Sequence, residues 1–287
     1  MAGSASPLAA GPGFRKLMLQ RPSVAVTLAI FLLIVAACFL LPALGVTSIG
    51  GMSVRNRLTG PSSQHLLGAD AFGRDVLGRL LVAGRTSLGI GLGVAILSSA
   101  AGIVIGLVAG FFRRLDTPLS RLIDAMMAFP DILLALSLVA IFGGSMANVM
   151  LALSVVYTPR IARIVRASTL VIRELPYVEA ARALGTRTVT IMLTHVLRNI
   201  MSPILVQATF IFAYAMLAEA GLSFLGVGVD PKIPTWGTMV NEGRQYIDSA
   251  FFLILFPGLA IALSVLSLQI VGDGLRDALD PKLAKET

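Results

Sequence analysis

Long apolar runs alternate with short polar connections along this chain. The first run, 24–44, carries no charged residue. At 1.5 Å per residue, some 20 residues of helix cover a hydrocarbon core of about 30 Å, so this run predicts a membrane span. A second uncharged run, 86–112, has Gly89, Gly91, Gly93, Gly102, Gly106 and Gly110 spread through it. Such small residues let helices approach closely in lipid, and the run predicts a span packed against protein. From Leu119 to Arg166 the apolar content is too long for one crossing, and the uncharged hinge Gly143, Gly144, Ser145 divides it into spans at 122–142 and 147–164. Runs at 200–222 and 250–272 bring the predicted spans to six.

The fold class expected is therefore an all-α polytopic membrane protein of six transmembrane helices. A six-helix domain at 23–275 is expected between an N-terminal segment, 1–22, and a C-terminal tail, 276–287. Composition agrees: 56% of residues are hydrophobic and 13% charged, against roughly half and a quarter in ordinary soluble domains. Lipid is the solvent this balance fits. The net charge of +8 does not point to nucleic acid, because the basic residues sit in short segments between apolar runs and form no single patch. Cys38 is the only cysteine and lies inside an apolar run, which leaves no intrachain disulfide and no cysteine-rich metal site. Residues Met1 to Gly13 are small, uncharged and suited to a loosely attached terminus, and Arg15, Lys16 and Arg21 follow. A basic flank before an apolar run also describes a signal peptide, but those apolar regions span about 7–15 residues and this one is longer, so a retained anchor is expected.

Lysine and arginine in the short connections set the orientation. Arg113, Arg114 and Arg121 follow the second run, and Arg160, Arg163, Arg166, Arg173, Arg182, Arg187 and Arg198 surround the connection between the fourth and fifth. Those connections are expected in the cytoplasm, with both termini. The exception is the segment from Gly45 to Gly84, external on this reading, where Arg55, Arg57, Arg74 and Arg79 face only Asp70 and Asp75.

The connection 174–198 is the most informative stretch. Pro176 has the fixed φ of a first helical turn, Glu179 complements the positive end of a helix, and Gly185 can turn left-handed to end it. Beyond it Val189, Met192, Leu193, Val196 and Leu197 repeat at i, i+3, i+4, i+7 and i+8, predicting a second amphipathic helix and a compact elbow. Two readings fit: a helix pair lying on the membrane surface, or a docking element. Ala180, Ala181, Ala183 and Gly185 leave the first helix thin enough to enter a groove on another protein, with Glu179 and Arg182 at the rim.

The spacing of Glu179, Ala180, Ala181, Gly185, His195 and Leu197 resembles the EAA motif of binding-protein-dependent ABC importer permeases. The chain departs from that pattern after Leu197, where Arg198 and Asn199 stand in place of the usual proline. Residues 65–79 (HLLGADAFGRDVLGR), 219–237 (EAGLSFLGVGVDPKIPTWG) and 272–282 (GDGLRDALDPK) look like the C-type permease of dipeptide and oligopeptide importers, a subfamily that also serves nickel and other small ligands. The resemblance implies a type I ABC importer permease in which Glu179, Ala180, Ala181, Arg182 and Gly185 couple to ATPase subunits. It implies a homologous second permease subunit, one or two cytoplasmic ATPases carrying ATP and Mg, and an extracytoplasmic solute-binding protein. The expected place is a prokaryotic inner or plasma membrane. No G-x-x-x-x-G-K-[ST] phosphate loop occurs in the chain, so ATP chemistry is expected in a partner, with no cofactor and no metal held here.

Single residues carry less. His65 has no second ligand at metal spacing. Asp70 and Arg74 have the i,i+4 spacing of a helical ion pair, and Trp236 fits an anchor at headgroup level. Asp131, after Pro130, sits inside a predicted span, where a charge costs about 2.5–3.5 kcal/mol unless it faces protein, water or an interface. Asp131 and Glu219 are the candidate substrate-path residues, although Glu219 fits equally well a role in holding the loop after it. Arg276 and Asp280, also four apart, fit a solvated helix end or an ATPase contact. A secondary carrier or channel would use charges such as Asp131 at the midplane, but it leaves the EAA-like connection unexplained.

Overall fold

The computed structural model describes residues 21–45 and 51–279. The loosely attached Met1 to Gly13, the basic Arg15 and Lys16, and Asp280 lie outside the described residues, as does most of the expected tail. The described chain is almost wholly helical. Its long helices are α1 (Pro22–Ala43), α2 (Val76–Phe111), α5 (Met146–Ile172), α7 (Thr188–Phe224) and α9 (Phe252–Leu279), all long and apolar enough to cross a membrane. Between them lie α3 (Arg113–Met127), α4 (Asp131–Phe142), α6 (Pro176–Ala183) and α8 (Trp236–Gly243).

The largest departure from expectation is at 122–142. Instead of one straight span, α3 and α4 meet at 93°. Pro130 is the reason: it cannot donate to the helical ladder and its ring crowds the preceding turn, so the chain leaves helical geometry at Pro130 (ψ 128°) and restarts at Asp131. The 12-residue α4 reaches only about 18 Å, short of a full hydrocarbon core. By contrast the hinge at Gly143 works as the sequence implies. Gly143 has φ +89°, Ser145 caps α5 by accepting from the Asn148 backbone N–H at 3.2 Å, and the Asn148 amide donates back to Phe142 O at 2.5 Å.

α2 is the central mast and packs most extensively on α5. Gly102, Gly106 and Gly110 form the contact stripe, one turn apart. A Cβ on Gly106 would sit 2.6 Å from the Ala162 carbonyl oxygen, and one on Gly110 2.6 Å from Thr169 Cβ. Backbones approach there more closely than any side chain permits, and the expectation that this run packs on protein is met. Buried Ile90, Val94, Leu153, Ile161, Val165 and Ile211 fill the space between α2, α5 and α7, while Leu81, Met216, Trp236, Leu253 and Leu268 fill a second core between α2, α7, α8 and α9.

Trp236, expected at headgroup level, is 1% exposed and heads that second core, with its indole N–H donating to Leu80 O at 2.9 Å. Arg160, Arg163 and Arg166, read as loop charges, are instead inside α5. They form a ladder with the bent pair: Arg166 Nε to Asp116 at 2.5 Å, Arg163 to Asp124 at 2.6 Å, and Arg160 to Asp131. The order is antiparallel, 116–124–131 against 166–163–160, so α3 and the start of α4 are strapped along one side of α5. Arg21 pairs with Asp277, bringing the first and last described helices together at the end of the bundle that also holds the 174–197 elbow.

Candidate functional site

α6 is built from its ends inward. Leu175 is extended, Pro176 opens the helix, and Glu179 and Arg182 lie in its first and last turns. At the other end Gly185 has φ +79°. Its N–H donates to Arg182 O at 3.0 Å and the Thr186 N–H reaches back to Ala181 O at 3.0 Å, the paired closing bonds of a Schellman motif. A Cβ on Gly185 would meet nothing within 4 Å. The glycine answers to backbone conformation alone.

Of the eight residues of α6 only Val178 is buried. Glu179, Ala180 and Ala183 are exposed, as is Leu184 at 86%. The Glu179 N–H donates to Leu175 O at 3.2 Å, but its carboxylate has no hydrogen-bond or ion-pair partner among the described residues. The helix is nonetheless held to the bundle. The Arg182 guanidinium lies 5.5 Å from the Phe111 ring at the end of α2, the Tyr177 hydroxyl accepts from Asn199 Nδ2 at 3.3 Å, and its ring stands edge-on to His195. Arg173, just before it, donates to Gly110 O at 2.7 Å and to Glu174 at 2.9 Å. A rigid, outward-facing, thin helix is thus tied to α2 and α7.

The second elbow helix differs from its expected form. It is the first part of α7, and Ile191–Leu197 is π-helical. Val189 and Leu193, expected on the apolar face, are 65% and 53% exposed, whereas Ile191, Val196 and Ile200 are buried. A π turn closes bonds at i→i+5, so the five-residue step from 191 to 196 falls on one side; a 3.6-residue count puts the face elsewhere. The helix runs straight through Arg198 and Asn199, and Asn199 Nδ2 donates to His195 O at 2.5 Å.

The two candidate path residues part company. Asp131 pairs with Arg160, whose guanidinium lies over the rings of Tyr157 and Tyr214 at 5.3 and 5.2 Å. Arg160 in turn lines an open groove between α5, α7 and α9, together with Gln207, Phe210, Tyr214, Gln269 and Asp273. Glu219 does not reach that groove: it is 0% exposed and accepts from Ser223 Oγ at 2.8 Å and Ser87 Oγ at 3.4 Å. Ser87 Oγ also accepts the Trp236 N–H at 3.0 Å, beside the Thr235–Thr238 capping box that opens α8. Glu219 therefore joins α7, α2 and α8, the loop-holding alternative.

At the end opposite the elbow, the spacing of Asp70 and Arg74 does mark an ion pair, at 2.7 Å, but in a turn and not a helix. Asp70 Oδ1 accepts the N–H groups of Phe72 and Arg74 at 2.8 and 3.0 Å. Burial pushes the Asp70 carboxyl up, but these backbone donors and the Arg74 guanidinium outweigh it and hold it below its ordinary value. Arg79 bridges Asp70 to Glu242 of α8, and Arg85 donates to the carbonyls of Cys38 and Phe39. These partners absorb arginines that a count of loop charges treats as free. His65 is occupied too, between Asn56 at 3.1 Å and Asp75 at 3.2 Å.

Residues 102–285 match the profile of a family described as binding-protein-dependent transport system inner membrane component. A putative peptide transport system permease protein of Brucella suis is 48% identical over 272 residues, covering 95% of this chain and 92% of the relative. The dipeptide transport system permease protein of Alkalihalophilus pseudofirmus is 42% identical, over 89% of this chain and 86% of its own. A glutathione transport system permease protein of Pectobacterium atrosepticum is 44% identical, over 78% and 75%. Among solved structures, an inward-facing MetNI methionine ABC transporter aligns with a TM-score of 0.56 at 19% identity, over 70% of this chain and 96% of that one, a likeness of fold.

Proposed function

The chain belongs to the binding-protein-dependent transport system inner membrane component family, a multi-pass membrane permease family, and from that premise we propose that it forms half of the passage of an ATP-driven importer for short peptides. Relatives whose names specify peptides, dipeptides and glutathione support the substrate class. The chain works as a non-catalytic subunit. A homologous second permease completes the passage, cytoplasmic ATPases bind ATP and Mg, and an extracytoplasmic binding protein delivers solute. Both termini and the elbow lie in the cytoplasm of a prokaryotic inner membrane, a reading supported by the Arg21–Asp277 pair at the elbow end of the bundle.

The single observation that carries this reading is α6: a helix opened by Pro176 and closed at Gly185, whose outward face carries small side chains and a Glu179 carboxylate with no partner among the described residues. Glu179, Ala180, Ala181, Arg182 and Gly185 seat in the ATPases, and closure of those subunits on ATP moves the elbow. Because Arg182 meets Phe111 and Tyr177 meets Asn199, that movement passes to α2 and α7, two packed helices that shift as bodies and alternate the access of the passage.

The test is Glu179→Lys in the complete assembly in proteoliposomes, with radiolabelled dialanine as solute. The variant is expected at wild-type abundance in the membrane, with uptake lost and with no stimulation of ATP hydrolysis by loaded binding protein. Wild-type uptake and stimulation together would remove α6 from the coupling role.

A further inference from the structure

The groove between α5, α7 and α9 is built unlike a surface that meets lipid. Gln207 and Gln269 line it with Asp273, and none of the three side chains makes a hydrogen bond or ion pair among the described residues. In hydrocarbon an unpaired polar group costs about 2–7 kcal/mol, so this face meets water, a solute or a protein partner and not lipid tails. Its volume, about 470 Å³, falls within the roughly 300–1,000 Å³ of small-molecule sites.

The charges within it are specific. Of the residues lining it only Arg160 and Asp273 are charged, with opposite signs, and between them stand two carboxamides and the rings of Phe210 and Tyr214. Arg160 uses one N–H of Nη2 on Asp131 and is steadied by the rings of Tyr157 and Tyr214, which leaves the remaining N–H groups of the guanidinium as donors for a second carboxylate. The lining holds a single carboxylate and neither thiol nor imidazole, a poor set for a transition-metal ion.

We propose that this groove is a transient site for both ends of a short zwitterionic peptide: Arg160 takes the terminal carboxylate, Asp273 the terminal ammonium, and the Gln207 and Gln269 amides the peptide bond between. The proposal rests on the peptide-importer reading above and adds to it the residues that meet the solute. A molecule of zero net charge with separated ends matches a groove of the same kind, and the lone amides make the hold weak enough to release.

Single-cysteine reporters test it. Cys38, the only native cysteine, is buried, so Gln207→Cys and Gln269→Cys can be followed with a charged methanethiosulfonate in the assembled transporter in nanodiscs, with binding protein and ATP present. Leu263→Cys, 44% exposed on α9 and outside the groove, is the control on the apolar outer surface. Both reporters are expected to react faster than the control, and dialanine to slow them. Adding Arg160→Gln or Asp273→Asn is expected to raise the half-protecting dialanine concentration at least about tenfold, the loss of one charge-assisted hydrogen bond. Continued labelling shows that each variant still assembles. Reporters as slow as the control, or protection unchanged in both variants, overturn the site. Absence of dialanine uptake by the wild-type assembly overturns the importer reading and this inference together, whereas uptake with unchanged protection overturns this inference alone.

Discussion

Arg79, in the first turn of α2, donates from its two terminal nitrogens to the two carboxylate oxygens of Glu242 in α8, at 2.7 and 3.1 Å across 163 residues of sequence. The same Nη1 donates to Asp70 at 2.9 Å. One guanidinium thus ties the turn at 69–75, the central mast and the short helix before α9. Arg79→Leu leaves Asp70, itself mostly buried, with Arg74 as its remaining cation. A loss of about 2–3 kcal/mol in stability is expected, read as a lowered unfolding midpoint of the purified protein in detergent. Arg79→Lys is expected to recover little, because an ammonium cannot make the two-pronged contact.

The depressed Asp70 carboxyl makes the same end acid-sensitive. A carboxyl whose folded pKa lies below its ordinary 3.8 contributes stability that is fully present above the unfolded value and is lost as pH falls through the folded one. The window therefore lies below about pH 4. Amide exchange at Phe72 and Arg74, which donate to Asp70, is expected to accelerate there once corrected for intrinsic rates. Asp70→Asn is expected to show fast exchange at neutral pH and no further acid step, and an unchanged acid step in that variant would assign the effect elsewhere.

Gly185 is demanded by its φ of +79° and not by crowding. Substitutions should then rank by tolerance of left-handed backbone: Gly, then Asn, then Ala, then Val, with a cost of about 1–2 kcal/mol for the last two. Dialanine uptake by the complete assembly is expected to fall in that order while membrane abundance holds. A ranking by side-chain volume, with Asn worse than Ala, would contradict this.

Within α2, glycines of the same run are expected to behave oppositely. Gly106→Val drives a Cβ to within 2.6 Å of the Ala162 carbonyl oxygen, a contact with backbone that cannot rotate away, while Gly89→Ala meets nothing within 4 Å. The first should abolish accumulation of folded protein or cost more than about 3 kcal/mol, and the second should be neutral or slightly stabilising. Yields of monodisperse protein by gel filtration compare the two directly.

Much of this is legible in the sequence. The runs at 24–44, 86–112, 147–164, 200–222 and 250–272 each coincide with one long helix to within two residues at their ends or lie inside it, because an apolar segment in lipid satisfies its backbone by forming helix, whatever its neighbours. The punctuation of α6 was equally local. Proline at its first turn and glycine past its last act through their own dihedral angles, and Gly143 does the same at the hinge.

What the sequence determined by itself was therefore everything set by solvent and by single-residue conformation: a helical membrane protein, its long helices, and a capped helix in the connection at 174–198. The rest depended on partners distant in the chain. The apolar run at 122–142 predicts one span through Pro130, whereas in the structure α3 and α4 meet at 93° and the pairs of Asp116, Asp124 and Asp131 with three arginines strap them to α5. Glu219 and Trp236 were drawn inward by Ser87 and Leu80, and a π turn moved the buried face of α7 off the 3.6-residue count. A charge or an indole has no preferred depth of its own in such a bundle. Its place follows from which hydrogen-bonding group the fold brings within reach, and that is a property of the packed structure alone.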